Sequence, residues 1–144
     1  MKIFLDTNVI ISAFITHGHA TELLEYCLIN HKIYTSDFII EEVKKNLKAK
    51  FEYSDEEIGE VINFIKPNFI NVGKHKKLNK IISRGIDDDN VLAAAAFEKV
   101  DCVVTGDKDL LIIKNYKNVV SINASQTINQ IQQKIIDKLE LMLL

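Results

Sequence analysis

The sequence predicts an α/β domain with a mainly parallel sheet covered by helices on both faces. Two observations carry this. Short, unbroken apolar runs such as Ile3-Phe4-Leu5 and Cys102-Val103-Val104 read as strands buried on both faces. Between them lie longer segments whose apolar residues recur at helical spacing, and strands alternating with helices are the mark of a parallel sheet. The 144 residues suit one domain, 1–144, with room for a real core. With a single proline, Pro67, and five glycines, no stretch reads as a linker.

The elements follow in order. Ile3–Leu5 stops at the polar turn Asp6-Thr7-Asn8. Val9–Ile15 reads as a helix closed by Gly18, and Thr21–Asn30 as a second, with Leu23, Leu24, Cys27 and Leu28 in phase. Lys32–Thr35 is a second strand. Ser36 or Asp37 caps a third helix to about Lys50, carrying Phe38, Ile39, Ile40, Val43 and Leu47. Ser54 and Glu57 have capping-box spacing and open a fourth helix that ends near Pro67. Phe69–Val72 is a short strand. After the basic stretch Gly73–Gly85, Asp87-Asp88-Asp89-Asn90 opens a helix, Val91–Lys99, whose acids suit the positive end of its dipole. Cys102–Val104 ends at Thr105-Gly106-Asp107, a short helix takes Asp109–Ile113, and Val119–Ile122 is the last strand. A closing helix, about 124–144, aligns Ile128, Ile131, Ile135, Leu139 and Met142.

Composition narrows the function. A net charge of −2 leaves no basic footprint for nucleic acid, yet a metal site brings its own positive charge to phosphates. Cys27 and Cys102 sit in apolar runs and read as buried free thiols, which fits a reduced, cytoplasmic setting. Asp6 interrupts the amino-terminal apolar run too early for a signal peptide, and no run is long enough to span a bilayer.

Sites in open parallel sheets form beyond the carboxyl ends of the strands, where strand order reverses. Asp6 ends the first strand, and Asp107 follows Cys102–Val104. Asp87, Asp88 and Asp89 open a helix, and Glu41 and Glu42 lie in the second turn of another. Acids from four segments therefore reach one sheet edge. Gathered carboxylates repel one another, and a divalent cation removes the conflict. Oxygen donors without a histidine or cysteine cluster favour Mg²⁺ or Mn²⁺ over zinc. Such a site activates water against a phosphodiester. Taken singly, each acid also has a plain reading as a turn former, helix cap or solvated face.

The segments Asp6-Thr7-Asn8-Val9, Ser36–Val43, Asp89-Asn90-Val91-Leu92-Ala93-Ala94 and Thr105-Gly106-Asp107 resemble, in that order, the motifs of the PIN-domain family. The likeness spans nearly the whole chain and is greatest to the VapC-like toxins of toxin–antitoxin pairs. It implies a three-layer α/β/α fold with a five-stranded parallel sheet, and Mg²⁺- or Mn²⁺-dependent cleavage of RNA. It also implies that Asp6, Glu42, Asp89 and Asp107 are the catalytic, metal-holding acids, with Asp109 supporting or replacing Asp107. The family pattern favours Glu42 over Glu41, while the register among Asp87, Asp88 and Asp89 rests on the Leu-Ala-Ala that follows. Thr7, Asn8 and Thr105 look like residues that orient these carboxylates by hydrogen bonds.

Other features have plainer readings. Lys74, Lys76, Lys77, Lys80 and Arg84 form a solvated loop or an RNA or antitoxin contact. Lys44, Lys45, Lys48 and Lys50 read as the exposed face of their helix. The four histidines show no metal-ligand spacing; His17 and His19 lie near the Asp6 segment, within range of a substrate. The apolar tail Leu141–Leu144 calls for burial against a second copy of the chain or an antitoxin. Rival expectations are a non-catalytic RNA- or protein-binding module of the same fold and a stand-alone RNA-processing nuclease. A phosphatase would need a second acid where Asn8 stands, and a phosphorelay receiver a different order of acids. Nothing in the sequence reads bases.

Overall fold

A computed structural model of the chain describes residues 1–16, 18–73, 91, 94–108, 111, 115–116, 119–123, 133 and 137. The closing helix, apart from Gln133 and Asp137, the basic stretch from Lys74 to Arg84, and the acids Asp87, Asp88, Asp89 and Asp109 lie outside the described residues.

Ten elements run in the order β1 (Lys2–Leu5), α1 (Thr7–Ile15), α2 (His19–Asn30), β2 (Lys32–Thr35), α3 (Asp37–Phe51), α4 (Asp55–Asn68), β3 (Ile70–Asn71), β4 (Cys102–Thr105), β5 (Asn115–Tyr116) and β6 (Val119–Asn123). Among the described residues the sheet has six strands in the order β3-β2-β1-β4-β6-β5. Five are parallel, as expected; β5 is an added antiparallel edge that pairs with β6.

This order sets up the site. The chain steps outward from β1 to β2 to β3, then returns to lay β4 on the other side of β1. Strand order therefore reverses between β1 and β4. Burial agrees with cover on both faces: Ile3, Phe4 and Leu5 of β1 and Cys102, Val103 and Val104 of β4 are all buried. Leu5 pairs with Val104, and the Asp6 N–H extends the ladder to the Val104 carbonyl at 3.0 Å.

The helices form where capping and apolar phase agree. Asp6, with extended backbone, caps α1, so the helix starts at Thr7, two residues before its first apolar position. Gly18 does not close α1; Thr16 does, and Gly18 is the N-cap of α2. The Ser36 hydroxyl caps α3 by accepting from the Ile39 N–H at 3.3 Å. Ile39, Ile40, Val43 and Leu47 form the buried stripe of α3, which packs beside α1 and α4. The helix ends at Glu52 in the left-handed region, φ 55°, with the Tyr53 N–H donating to the Leu47 carbonyl at 3.0 Å. Both bonds of the Ser54–Glu57 capping box form at the start of α4, which runs one residue past Pro67.

Candidate active site

The site is built at the carboxyl ends of β1 and β4. Asp6 is nearly buried, at 8% exposure, and both its carboxylate oxygens are held. Oδ1 accepts from the Thr7 N–H at 2.8 Å, in the first turn of α1. Oδ2 accepts from the Thr105 hydroxyl at 2.7 Å. Thr105 Oγ1 in turn accepts from the Asp107 N–H at 2.9 Å. One fully buried hydroxyl thus ties the acid after β1 to the loop carrying the acid after β4.

Thr105 reaches Asp6 through its side-chain hydroxyl. Thr7 orients Asp6 through its backbone N–H, and Asn8 is exposed on the rim. Gly106, between Thr105 and Asp107, faces open space and leaves the Asp107 side uncrowded.

A cleft of ≈ 420 Å³ opens over these groups. Asp6, Thr7, Asn8 and Asp107 line one side, with Val91 from the return connection. α3 supplies the other side through Phe38, Glu42, Lys45, Asn46, Ala49 and Lys50. Glu42 is half-buried next to the apolar stripe of α3. Glu41 is exposed and bound to Lys44 at 3.3 Å, outside the cleft lining. The phase of Ile39, Ile40, Val43 and Leu47 separates the two glutamates.

Asp6, Glu42 and Asp107 therefore meet at one cleft. Asp89 lies outside the described residues, although Val91, two positions on, reaches the lining. Asp87, Asp88, Asp109 and His17 also lie outside them, and His19 is the first residue of α2. Among the described residues no group of three or more His, Cys, Asp or Glu is close enough to hold a metal ion. The donors that face the cleft are carboxylate oxygens, which suit a hard divalent cation such as Mg²⁺ or Mn²⁺.

Sequence reasoning missed Lys45, Asn46 and Lys50 as cleft residues. They stand three, four and eight positions after Glu42, the spacing of one helix face, so counting on from Glu42 finds them.

A larger depression of ≈ 570 Å³ lies at the opposite, amino-terminal edge, lined in part by Met1, Lys2, His31, Lys32, Lys99 and Asp101. Its lone carboxylate, Asp101, accepts from the Lys2 N–H at 2.9 Å. Burial and the neighbouring amino-terminal ammonium hold the His31 imidazole below its ordinary pKa, against the opposing pull of Asp101. Among the described residues Asp101 has no second acid beside it, and the depression lies away from the strand-order reversal. The thiols of Cys27 and Cys102 are buried and not joined in a disulfide, and burial pushes Cys27 up to about 12. No helix among the described residues is long and apolar enough to cross a membrane.

Comparison with known proteins places this architecture. No curated protein sequence matches significantly. VapBC2 from Rickettsia felis, solved bound to a DNA fragment from its promoter, is similar with a TM-score of 0.64 and 19% identity, over 85% of this chain and 98% of that one. FitAB bound to an IR36 DNA fragment gives 0.62 and 17%, over 85% and 94%. FitAcB from Neisseria gonorrhoeae gives 0.53 and 15%, over 85% and 97%. At these identities the likeness establishes the fold. The PIN domain model matches residues 2–109, the span from β1 through Asp107, and PIN domains are generally nucleases. Strand order, cleft and sequence match agree: the chain belongs to the PIN-domain family.

Proposed function

We propose that this protein is a Mg²⁺- or Mn²⁺-dependent endoribonuclease that cleaves RNA phosphodiester bonds in the cytoplasm. The observation that carries the reading is the shared cleft of Asp6, Glu42 and Asp107 at the point where strand order reverses. In this reading Asp6, Glu42, Asp89 and Asp107 hold the metal, and Asp109 supports Asp107. The bound ion would lower the pKa of a water and offset charge on the phosphoryl oxygens.

The chain's own residues have distinct tasks. Thr105 and the Thr7 N–H fix the two oxygens of Asp6, so this carboxylate enters the reaction already oriented. Thr105 also accepts from the Asp107 N–H and so holds the start of the Asp107 loop. Glu42, on the opposite wall, positions the attacking water by accepting its hydrogen bond. Asn8 is available at the rim for the substrate.

We further assign the protein to the toxin side of a toxin–antitoxin pair, with an antitoxin protein as its partner. The similar VapBC2 and FitAB folds, each solved with DNA, support that partner class. The apolar spacing of Ile128, Ile131, Ile135, Leu139 and Met142 in the sequence supports a contact surface for a second copy of the chain or for the antitoxin.

The test is cleavage of single-stranded RNA by the purified chain. Mn²⁺ should support it, EDTA should stop it, and Asp6→Asn should abolish it while circular dichroism stays that of wild type. Cleavage that survives both EDTA and Asp6→Asn refutes the proposal. The rival reading is a non-catalytic module of this fold. Calorimetric titration with Mn²⁺ separates the two: heat saturating in the millimolar range or below supports the nuclease, and no binding supports the module.

A further inference from the structure

The four lysines of α3 divide into two sets. Lys44 is bound to Glu41 and Lys48 to Asp55, each at 3.3 Å, and neither lines the cleft. Lys45 and Lys50 both line the cleft, and neither has an ion-pair partner among the described residues. Together with Glu42 and Asn46 they form one stripe at positions i, i+3, i+4 and i+8. Along the helix axis Lys45 lies about 4.5 Å and Lys50 about 12 Å beyond Glu42. Along the α3 wall the described lining thus passes from the carboxylate of Glu42 to the ammonium groups of Lys45 and Lys50.

A helix-stability role accounts for part of this. Cations in a last turn complement the helix dipole, which suits Lys48 and Lys50. It does not account for Lys45, which lines the cleft from the middle of the helix without an ion-pair partner among the described residues. A row of cations along one helix face tracks a single polyanionic backbone. The carboxylate end would repel that backbone, so an attractive section has to adjoin it for a strand to remain in place.

We propose that Lys45 and Lys50, with Asn46 between them, bind successive phosphates of a single-stranded RNA laid along α3, carrying it away from the carboxylate end of the cleft. The proposal rests on the ribonuclease reading, and it makes Lys45 and Lys50 strand-positioning residues.

The experiment measures binding of a fluorescein-labelled, mixed-sequence, single-stranded oligoribonucleotide to the full chain by anisotropy in EDTA, across a salt series. K45Q/K50Q is compared with wild type and with K44Q/K48Q, which removes the same charge from outside the cleft. Two lost phosphate contacts on a single strand should lower the log–log salt slope by about 1.4. The advantage of wild type over K45Q/K50Q should then shrink about sevenfold between about 50 and about 200 mM salt. K44Q/K48Q should keep the wild-type slope, and a duplex of the same sequence should bind less tightly than the single strand. In Mn²⁺, K45Q/K50Q should raise KM and leave kcat near wild type.

Equal weakening by the two double variants, an unchanged slope in K45Q/K50Q, or no binding by wild type would overturn the strand assignment. Preferred binding of the duplex would overturn it as well. The ribonuclease reading is judged separately by Mn²⁺-dependent cleavage. A wild-type chain that shows the slope difference but cleaves nothing retains the strand track and loses the nuclease.

Discussion

Replacing Thr105 by valine keeps the shape of a fully buried strand residue and removes one hydroxyl. Two bonds disappear: the 2.7 Å donation to Asp6 Oδ2 and the 2.9 Å acceptance from the Asp107 N–H. A hydrogen bond to a charged group contributes about 1.5–3 kcal/mol net. The Asp107 N–H is only part-buried, so water recovers some of the second bond. Valine's extra apolar burial returns a fraction of the loss. The expected destabilisation is about 2–3 kcal/mol, or about 6–10 °C in Tm for a chain of this size. Serine, which keeps the hydroxyl and loses a methyl, should cost about 1 kcal/mol. Urea denaturation followed by circular dichroism measures both. A double-mutant cycle with Asp6→Asn then isolates the Thr105–carboxylate interaction, expected at about 1 kcal/mol or more. RNA cleavage should fall about 10- to 100-fold in Thr105→Val, as for residues that orient metal ligands, and recover in Thr105→Ser. A valine variant as stable as wild type, or strict additivity with Asp6→Asn, would refute the bridging role.

Two further predictions concern the scaffold. Glu52 holds a left-handed conformation, φ 55°, that glycine adopts without strain, so Glu52→Gly should raise stability by about 1 kcal/mol in urea denaturation. A loss would mean that the Glu52 side chain contributes more than its backbone strain costs. His31 has its folded-state pKa lowered by burial and by the amino-terminal ammonium, so the unfolded chain binds the extra proton first. Its stabilising contribution is therefore complete above the ordinary histidine pKa of about 6.5 and declines as pH falls through it toward the folded value. Urea midpoints between about pH 7.5 and 5.5 should fall more steeply for wild type than for His31→Gln, and equal slopes would remove His31 from the account.

The central strands were legible because their environment is uniform. Ile3-Phe4-Leu5 and Cys102-Val103-Val104 are apolar throughout and buried on both faces, and each ends where an acid or polar turn begins. The edges were not. β3 shrinks to Ile70–Asn71, both exposed, because among the described residues it has a strand neighbour on one side only. β5, Asn115–Tyr116, is two residues held by β6, with no apolar pattern of its own. The start of α1 was read at its first apolar residue, whereas the Asp6 cap sets it at Thr7.

The candidate site divides in the same way. Asp6 and Asp107 were visible as acids at strand ends, and Glu42 differs from Glu41 by the phase of a stripe that the sequence displays. The Thr105 bridge needed the β1–β4 pairing, which joins residues 99 positions apart. Lys45 and Lys50 look like Lys44 and Lys48 in the sequence. Only once Glu42 is placed in the cleft does helical phase show which pair faces it.

The central claim is that the acids beyond β1 and β4 form one divalent-metal centre. Crystals of the chain grown in millimolar Mn²⁺ test it through the manganese anomalous signal. The account predicts a peak in the cleft within about 2.0–2.3 Å of carboxylate oxygens of Asp6 and at least one of Glu42, Asp89 and Asp107. A cleft without such a peak, or manganese bound only at the opposite edge near Asp101, would contradict it.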